Sequence, residues 1–433
     1  IFRRVRFPGR SRTNSCLALI RWCHLSFKRK RDPFECTCLL EINVVAPEVR
    51  KPMTEDNGLR SMCLSSEFLY IIENFGSAAH FKVSVFMTTY NPLYQPLSRA
   101  EVIKAVERKN PRRVPLVLAY WAGEGLDAQY GDRLHEFQRY PEDVVQLWID
   151  PPIRFDQMGL SWELPPEVGA HDNRPVIDDW AKLDEFISKL PDPETDERFD
   201  TLPAQVKAAR DADRYIIFGW WNFFFEFPWK IRGMANLLMD YYINPKEIHT
   251  LHNALCTVYK GYLERAIKEL QPDGFWTSDD LGHQTQPFMK PKTFREFLFP
   301  YYVRVGNLLK SHNVHWWLHS CGNNTPLLED IIEAGVTVFH PVQKGTMDEV
   351  SVARDYGDRI AFLAGFDVQH ILREASPDEV RSEVRFLIDT FDRPDGGMCI
   401  AAGNGIVSGT PFENIEAFLD EAVRYGEEHR NTF

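Results

Sequence analysis

The chain has 433 residues, 44% of them hydrophobic and 26% charged, a balance that suits a globular protein with a large core. A formal net charge of −12 argues against nucleic acid as the main partner, because phosphate binding needs a basic face. No stretch of about 18 apolar residues occurs, so no membrane partner through a spanning helix is expected.

Residues 1–86 differ from the rest of the chain. They carry 14 Lys and Arg against 8 Asp and Glu, while residues 87–433 carry a net charge of −18. Five of the eight cysteines, Cys16, Cys23, Cys36, Cys38 and Cys63, also fall there. The segment opens with IFRRVRFPGRSR and sustains no apolar period. It reads as an Arg-rich targeting peptide, as a basic disordered tail, or as upstream sequence preceding a start at Met87. The last is preferred, so residues 1–86 are expected to be a basic N-terminal extension, disordered or non-native. Cys36-Thr-Cys38 is too tight for a zinc knuckle. From Met87 onward only Cys256, Cys321 and Cys399 remain, which make no disulfide framework and fit a reducing cytoplasm.

Beyond residue 87, short apolar runs alternate with helical periodicity. RVPLVLAYW (113–121) reads as a first strand and VVQLWI (144–149) as a second. Residues 151–213, rich in Pro, Asp and Glu, read as a long excursion with one helix over 177–190. RYIIFGWW (214–221) is a third strand, and helical periodicity runs through 233–270. GFWTSDD (274–280) is the fourth, followed by a helix over 291–312. Four strand–helix units then come in quick succession, with strands VHWWLHS (314–320), VTVFHPV (336–342), IAFLAGFD (360–367) and MCIAAGNG (398–405). Runs apolar on both faces and separated by helices predict a parallel sheet covered by helices. Eight strands over 87–433 predict an α/β fold, a (β/α)8 TIM barrel. A doubly wound open sheet competes, but no G-x-G-x-x-G follows the first strand.

The strand ends are unusually polar. They bring Asp279 and Asp280, then His319 and Cys321, His340 and Gln343, Asp367 with Gln369 and His370, and Asn404. Each has a plain explanation: Asp caps a following helix, His is a polar strand end, and Asn or Gly makes a turn. Five such ends on one barrel face read better as a functional pocket. LHSCGNN (318–324) is either a metal site, joining an imidazole to a thiol, or an ordinary strand end running into a turn. WWNFFFEFPW (220–229) holds seven aromatics and reads as pocket lining.

At these residues a resemblance becomes specific. DDLGHQTQPFMKPKTFREFLFPYY, HSCGNNTPLLEDIIEAGV, HPVQKGTMDEVSVARDYGDRIAFLAGFDVQHILREASPDEV and AAGNGIVSGTPFENIEAFLDEAV resemble the uroporphyrinogen decarboxylase superfamily. The similarity covers most of 100–427. It implies a (β/α)8 barrel and one of two activities: cofactor-free decarboxylation of porphyrinogens, or zinc-dependent methyl transfer between a corrinoid and a thiol. The zinc enzymes carry a His-x-Cys motif plus a Cys near the last strand. His319-x-Cys321 matches the first part. Just after AAG, where the second Cys belongs, stands Asn404. Cys399 lies five residues earlier, roughly 16 Å away along a strand and of opposite parity, so it is expected to be buried structure. Asn is a poor zinc ligand, which leaves His340 as the more plausible third one.

The decarboxylases carry an early Arg-rich segment, R-Q-A-G-R, whose guanidiniums clamp substrate carboxylates. Here the first strand runs into AYWAGEGLDAQYG, with no Arg between Arg113 and Arg133. The expectation is therefore methyl transfer, with His319, Cys321 and His340 holding Zn2+ and Asp280, Gln343, Asp367 and Asn404 lining a small-molecule pocket. A corrinoid protein is the expected partner. Porphyrinogen decarboxylation is the alternative, and a non-catalytic binding barrel is a third.

Overall fold

The computed structural model describes residues 93–117, 121–156, 158 and 175–433, and before them the backbone of five strands. The chain separates into two compact units, Ile1–Leu93 and Tyr94–Phe433. In the first, β1 (Leu19–Arg29), β2 (Glu35–Val45), β3 (Ser61–Ser65), β4 (Phe68–Asn74) and β5 (His80–Tyr90) pair antiparallel in the order β1-β2-β5-β4-β3. Apart from this pairing, the expectation for residues 1–86 lies outside the described residues.

In the second unit, β6 (Val144–Trp148), β7 (Tyr215–Trp220), β8 (Gly274–Ser278), β9 (His315–His319), β10 (Val338–His340), β11 (Ala361–Phe366) and β12 (Met398–Ala402) form one parallel sheet in chain order. Every residue of β7, β8, β11 and β12 is buried, as expected of a sheet covered on both faces. Among the described residues of the first predicted strand, 113–117, no strand forms. Pro115 offers no N–H, so regular pairing is interrupted there. The chain still bridges the two edge strands. Val117 N–H donates to Ile400 O at 2.9 Å, Ile400 N–H to Pro115 O at 2.9 Å, and Asp143 N–H to Leu116 O at 2.9 Å. Arg113 and Asp143, both buried, pair at 2.7 Å and pin this segment.

Side-chain alternation divides the sheet into two apolar layers. Ile216, Phe218, Phe275, Trp316, Leu318 and Phe362 belong to the larger core, which includes the outer helices. Tyr215, Ile217, Trp276, Trp317, Leu363 and Cys399 form the inner layer with Val102, Ala105 and Val106 of the helix Arg99–Val106. The aromatic run 220–229 corrects an expectation. Trp220, Phe223, Phe224, Phe225, Phe227 and Trp229 are buried in the larger core and do not line the cavity. Trp220 ends β7, Phe223, Phe224 and Phe225 lie between it and the helix Glu226–Arg232, and that helix carries Phe227 and Trp229; only Trp221 of the seven is left outside that core. No described helix is long and apolar enough to cross a membrane.

Candidate functional site

Strand register assembles the site. Ser278 of β8 pairs with His319 of β9, and His319 pairs with His340 of β10. Alternation continues past the strand ends, so Asp280, two residues beyond Ser278, meets Cys321, two residues beyond His319. Asp280 Oδ1 accepts the Cys321 N–H at 2.8 Å. His319 Nε2 lies 3.3 Å from Cys321 Sγ and 3.6 Å from Asp280 Oδ1. One donor atom from each of Asp280, His319 and Cys321 falls within 4.8 Å of the others.

The Gly-Asn-Asn after Cys321 holds this corner rather than merely ending the strand. Gly322 has φ +79°, and a Cβ there would lie 2.3 Å from Gly282 O, so only glycine fits. Its N–H donates to Gln343 Oε1 at 2.7 Å. The Asn324 amide, fully buried, donates to the carbonyls of Ser320, Cys321 and Gly322 at 2.9–3.1 Å. The turn and the chemistry are thus one construction.

Hydrogen bonds fix the protonation of both imidazoles. A carbonyl only accepts, so the 3.1 Å contact of His340 Nε2 with Ala402 O places the His340 proton on Nε2. Burial drives His340 well below the usual imidazole range, so it is neutral and its Nδ1 is an acceptor. His319 Nδ1 sits 2.7 Å from that nitrogen and must donate to it. That leaves the His319 Nε2 lone pair facing Cys321 and Asp280. Burial pushes His319 down to about 3, which keeps it neutral. The indoles of Trp121 and Trp221 stand edge-on to it, at 5.8 and 5.5 Å. Burial, then Asp280 and Glu226, holds the Cys321 thiol well above its ordinary value, while the Asn404 amide, 3.7 Å from Sγ, opposes this.

The donor set fits zinc. Imidazole nitrogen, thiolate and carboxylate are its usual ligands, and tetrahedral bond lengths require roughly 3.6 Å between S and N and roughly 3.4 Å between N and O. The observed 3.3 and 3.6 Å lie close to these.

A cavity of about 530 Å3 adjoins the group, and Asp280, Cys321, Gln343, Asp367 and Asn404 all line it. Asp367 is also committed locally, its Oδ1 accepting from Gln369 N–H and His370 N–H at 2.8 and 3.1 Å. His340, expected as a third ligand, lies behind His319 with both ring nitrogens engaged, outside the three-donor group. Asp280, expected only as lining, supplies the third donor. The sequence signal was the Asp279-Asp280 pair, which alternation splits. Asp279 turns into the core, accepting from Phe225 N–H and Glu226 N–H at 2.8 Å each and from Tyr302 OH at 2.5 Å, and burial lifts it to about 7. Glu226 was not foreseen. It is buried, takes a hydrogen bond from Ser278, and burial with Asp280 and Asp279 nearby holds it well above the usual range. Cys399 is buried in the inner layer and is not among the donors.

Comparison with known proteins places these features in context. A uroporphyrinogen decarboxylase from Aliivibrio salmonicida is 22% identical over 306 residues, 66% of this chain and 80% of that protein. A methylcobamide:CoM methyltransferase MtbA from Methanosarcina acetivorans is 25% identical over 132 residues, 30% of this chain but only 37% of that enzyme's length. A solved methyltransferase from Methanosarcina mazei shares the fold with a TM-score of 0.54 at 17% identity, over 76% of this chain and 98% of its own. The uroporphyrinogen decarboxylase (URO-D) family model matches residues 132–425, which takes in β6 to β12 and every residue of the three-donor group, and the chain therefore belongs to the uroporphyrinogen decarboxylase family.

Proposed function

We propose that the chain is a metal-dependent methyltransferase that moves a methyl group between a corrinoid on a partner protein and a thiol. On this reading the fold is a (β/α)8 barrel in which residues 115–117, bonded to both edge strands, take the place of the eighth strand, and the enzyme works in the cytoplasm. One observation carries the reading: the meeting of Asp280, His319 and Cys321 donors beside a cavity at the strand ends. A bound Zn2+ would supply Lewis-acid chemistry there, holding the acceptor thiol as a nucleophilic thiolate near neutral pH. The other parts belong to side chains. His319 offers its Nε2 lone pair because His340 holds the proton arrangement behind it. Cys321 gives up its proton to serve as a ligand, and Asn404 donates to its sulfur. Asp280 brings the second negative charge, and Gln343 holds the Gly322 turn in place. Trp121 and Trp221 keep water from His319.

Metal-free decarboxylation of a porphyrinogen is supported by the longer coverage of the decarboxylase relatives. It requires cations to clamp several carboxylates, and among the described residues no arginine lines the cavity. Elemental analysis separates the readings. Full-length protein expressed with zinc should carry it stoichiometrically. Cys321→Ser or Asp280→Ala should each strip most of it, and the double variant should look little worse than either. Zinc-free parent protein, or uroporphyrinogen turnover of about 1 s−1, would sink the methyltransferase reading.

A further inference from the structure

The charges around the cavity narrow the acceptor. The three-donor group contributes no net attraction for anions once loaded, because the carboxylate of Asp280 and the thiolate of Cys321 balance a divalent ion. Among the described residues the cavity is lined by one further carboxylate, Asp367, and one ammonium, Lys344. The Lys344 charge is already engaged. Its Nζ lies 2.7 Å from Glu349 Oε2 and 2.9 Å from Glu383 Oε1, both largely buried. The rest of the polar wall is amide, from Gln284, Gln343, Gln369 and Asn404, together with the imidazole of His283, which is exposed and stands edge-on to Phe288. Such a wall offers acceptors for an ammonium or a hydroxyl. Among the described residues it has no arginine, and no ammonium beyond the engaged Lys344, for a sulfonate, carboxylate or phosphate, and a buried anion without a partner is strongly disfavoured.

Resting on the methyl-transfer reading, we infer that the acceptor is a small thiol whose tail is a protonated amine or a neutral hydroxyl, and that anionic thiols are excluded by Asp367 and the two carboxylates on Lys344. Within low-dielectric walls one like charge a few ångströms away weakens binding by roughly ten- to a hundredfold.

Three thiols that share a two-carbon chain and differ in the charge of the tail test this: cysteamine, 2-mercaptoethanol and 2-mercaptoethanesulfonate, titrated into full-length protein loaded with Co2+ in place of Zn2+. The readout is the thiolate-to-cobalt charge-transfer band, with each affinity expressed per thiolate at the assay pH. Cysteamine and 2-mercaptoethanol should bind at least tenfold more tightly than the sulfonate. Asp367→Asn keeps an oxygen for the Gln369 and His370 N–H groups while removing the charge, and should narrow the gap. Equal or tighter binding of the sulfonate would overturn this inference and leave the metal-site reading standing. No cobalt uptake, or no band with any thiol, would instead remove the methyl-transfer reading and the inference with it.

Discussion

If His340 acts by orienting His319, its replacement should weaken metal binding without removing a ligand. His340 Nδ1 accepts the His319 Nδ1–H at 2.7 Å, and its own Nε2–H is anchored on Ala402 O at 3.1 Å. Both rings are buried, so no water stands ready to replace the acceptor. In His340→Leu the His319 proton is either stranded, at a cost of about 1–3 kcal/mol for a buried unsatisfied donor, or moves to Nε2 and occupies the lone pair the metal needs. Loss of such outer partners lowers metal affinity by roughly 10- to 100-fold, or about 1.4–2.7 kcal/mol. His340→Asn can place its side-chain oxygen near the old Nδ1 position and should recover most of the affinity. Zinc affinity is measured by chelator competition, alongside melting of the metal-free protein. A merely structural His340 would lower the melting temperature of both variants and leave affinity per folded molecule unchanged. That pattern, or equal affinity in Leu and Asn variants, would refute the argument.

Cys399→Ser should keep its zinc, because that sulfur lies in the inner apolar layer away from the donor group; metal analysis of the purified variant decides. His252 is fully buried and pushed by burial down to about 4, so the unfolded chain takes up its proton first as pH falls. Its contribution is present above about pH 6.5 and is lost toward pH 4, so relative to His252→Phe the parent should lose about 3 kcal/mol across that window in urea titrations; parallel curves would count against this. A chain beginning at Met87 should melt cooperatively at the temperature of the full chain, and loss of cooperativity or solubility on truncation would show that the first unit contributes to folding.

Seven strands of the second unit and the parallel order were legible because each is a short apolar run bounded by helical periodicity. The start of the 113–121 run, residues 113–117, has a strand-like composition, but Pro115 breaks the pairing pattern and leaves an isolated bridge from Leu116 to Ile400. Which polar strand ends converge was also legible: Asp280, Cys321, Gln343, Asp367 and Asn404 share one cavity. The division of labour among them was not. Residue type alone put His340 forward as the third ligand and left Asp280 among the lining residues. The choice between them depends on the register His319↔His340 and on the Ala402 carbonyl behind it, and no linear pattern contains either. The aromatic run failed for a related reason: composition cannot say whether the residues after a strand end turn into the core or toward the cavity.

Asn404 allows the metal reading to be tested by gain rather than loss. The resemblance expects a cysteine at this position, and the amide here lies 3.7 Å from Cys321 Sγ. Two thiolates on one tetrahedral zinc stand roughly 3.8 Å apart, so the position has the right spacing and lacks only the donor. In Asn404→Cys a fourth protein ligand would join Asp280, His319 and Cys321, turning an open catalytic site into a closed one of the structural kind. Zinc affinity should rise at least tenfold, while added thiols should no longer perturb the spectrum of the cobalt form. The two changes must appear together, since the new sulfur takes the place the acceptor would use. A folded Asn404→Cys protein with the parent's zinc affinity and an intact thiol response would show that position 404 does not face the ion. The donor group of Asp280, His319 and Cys321 would then need a different account.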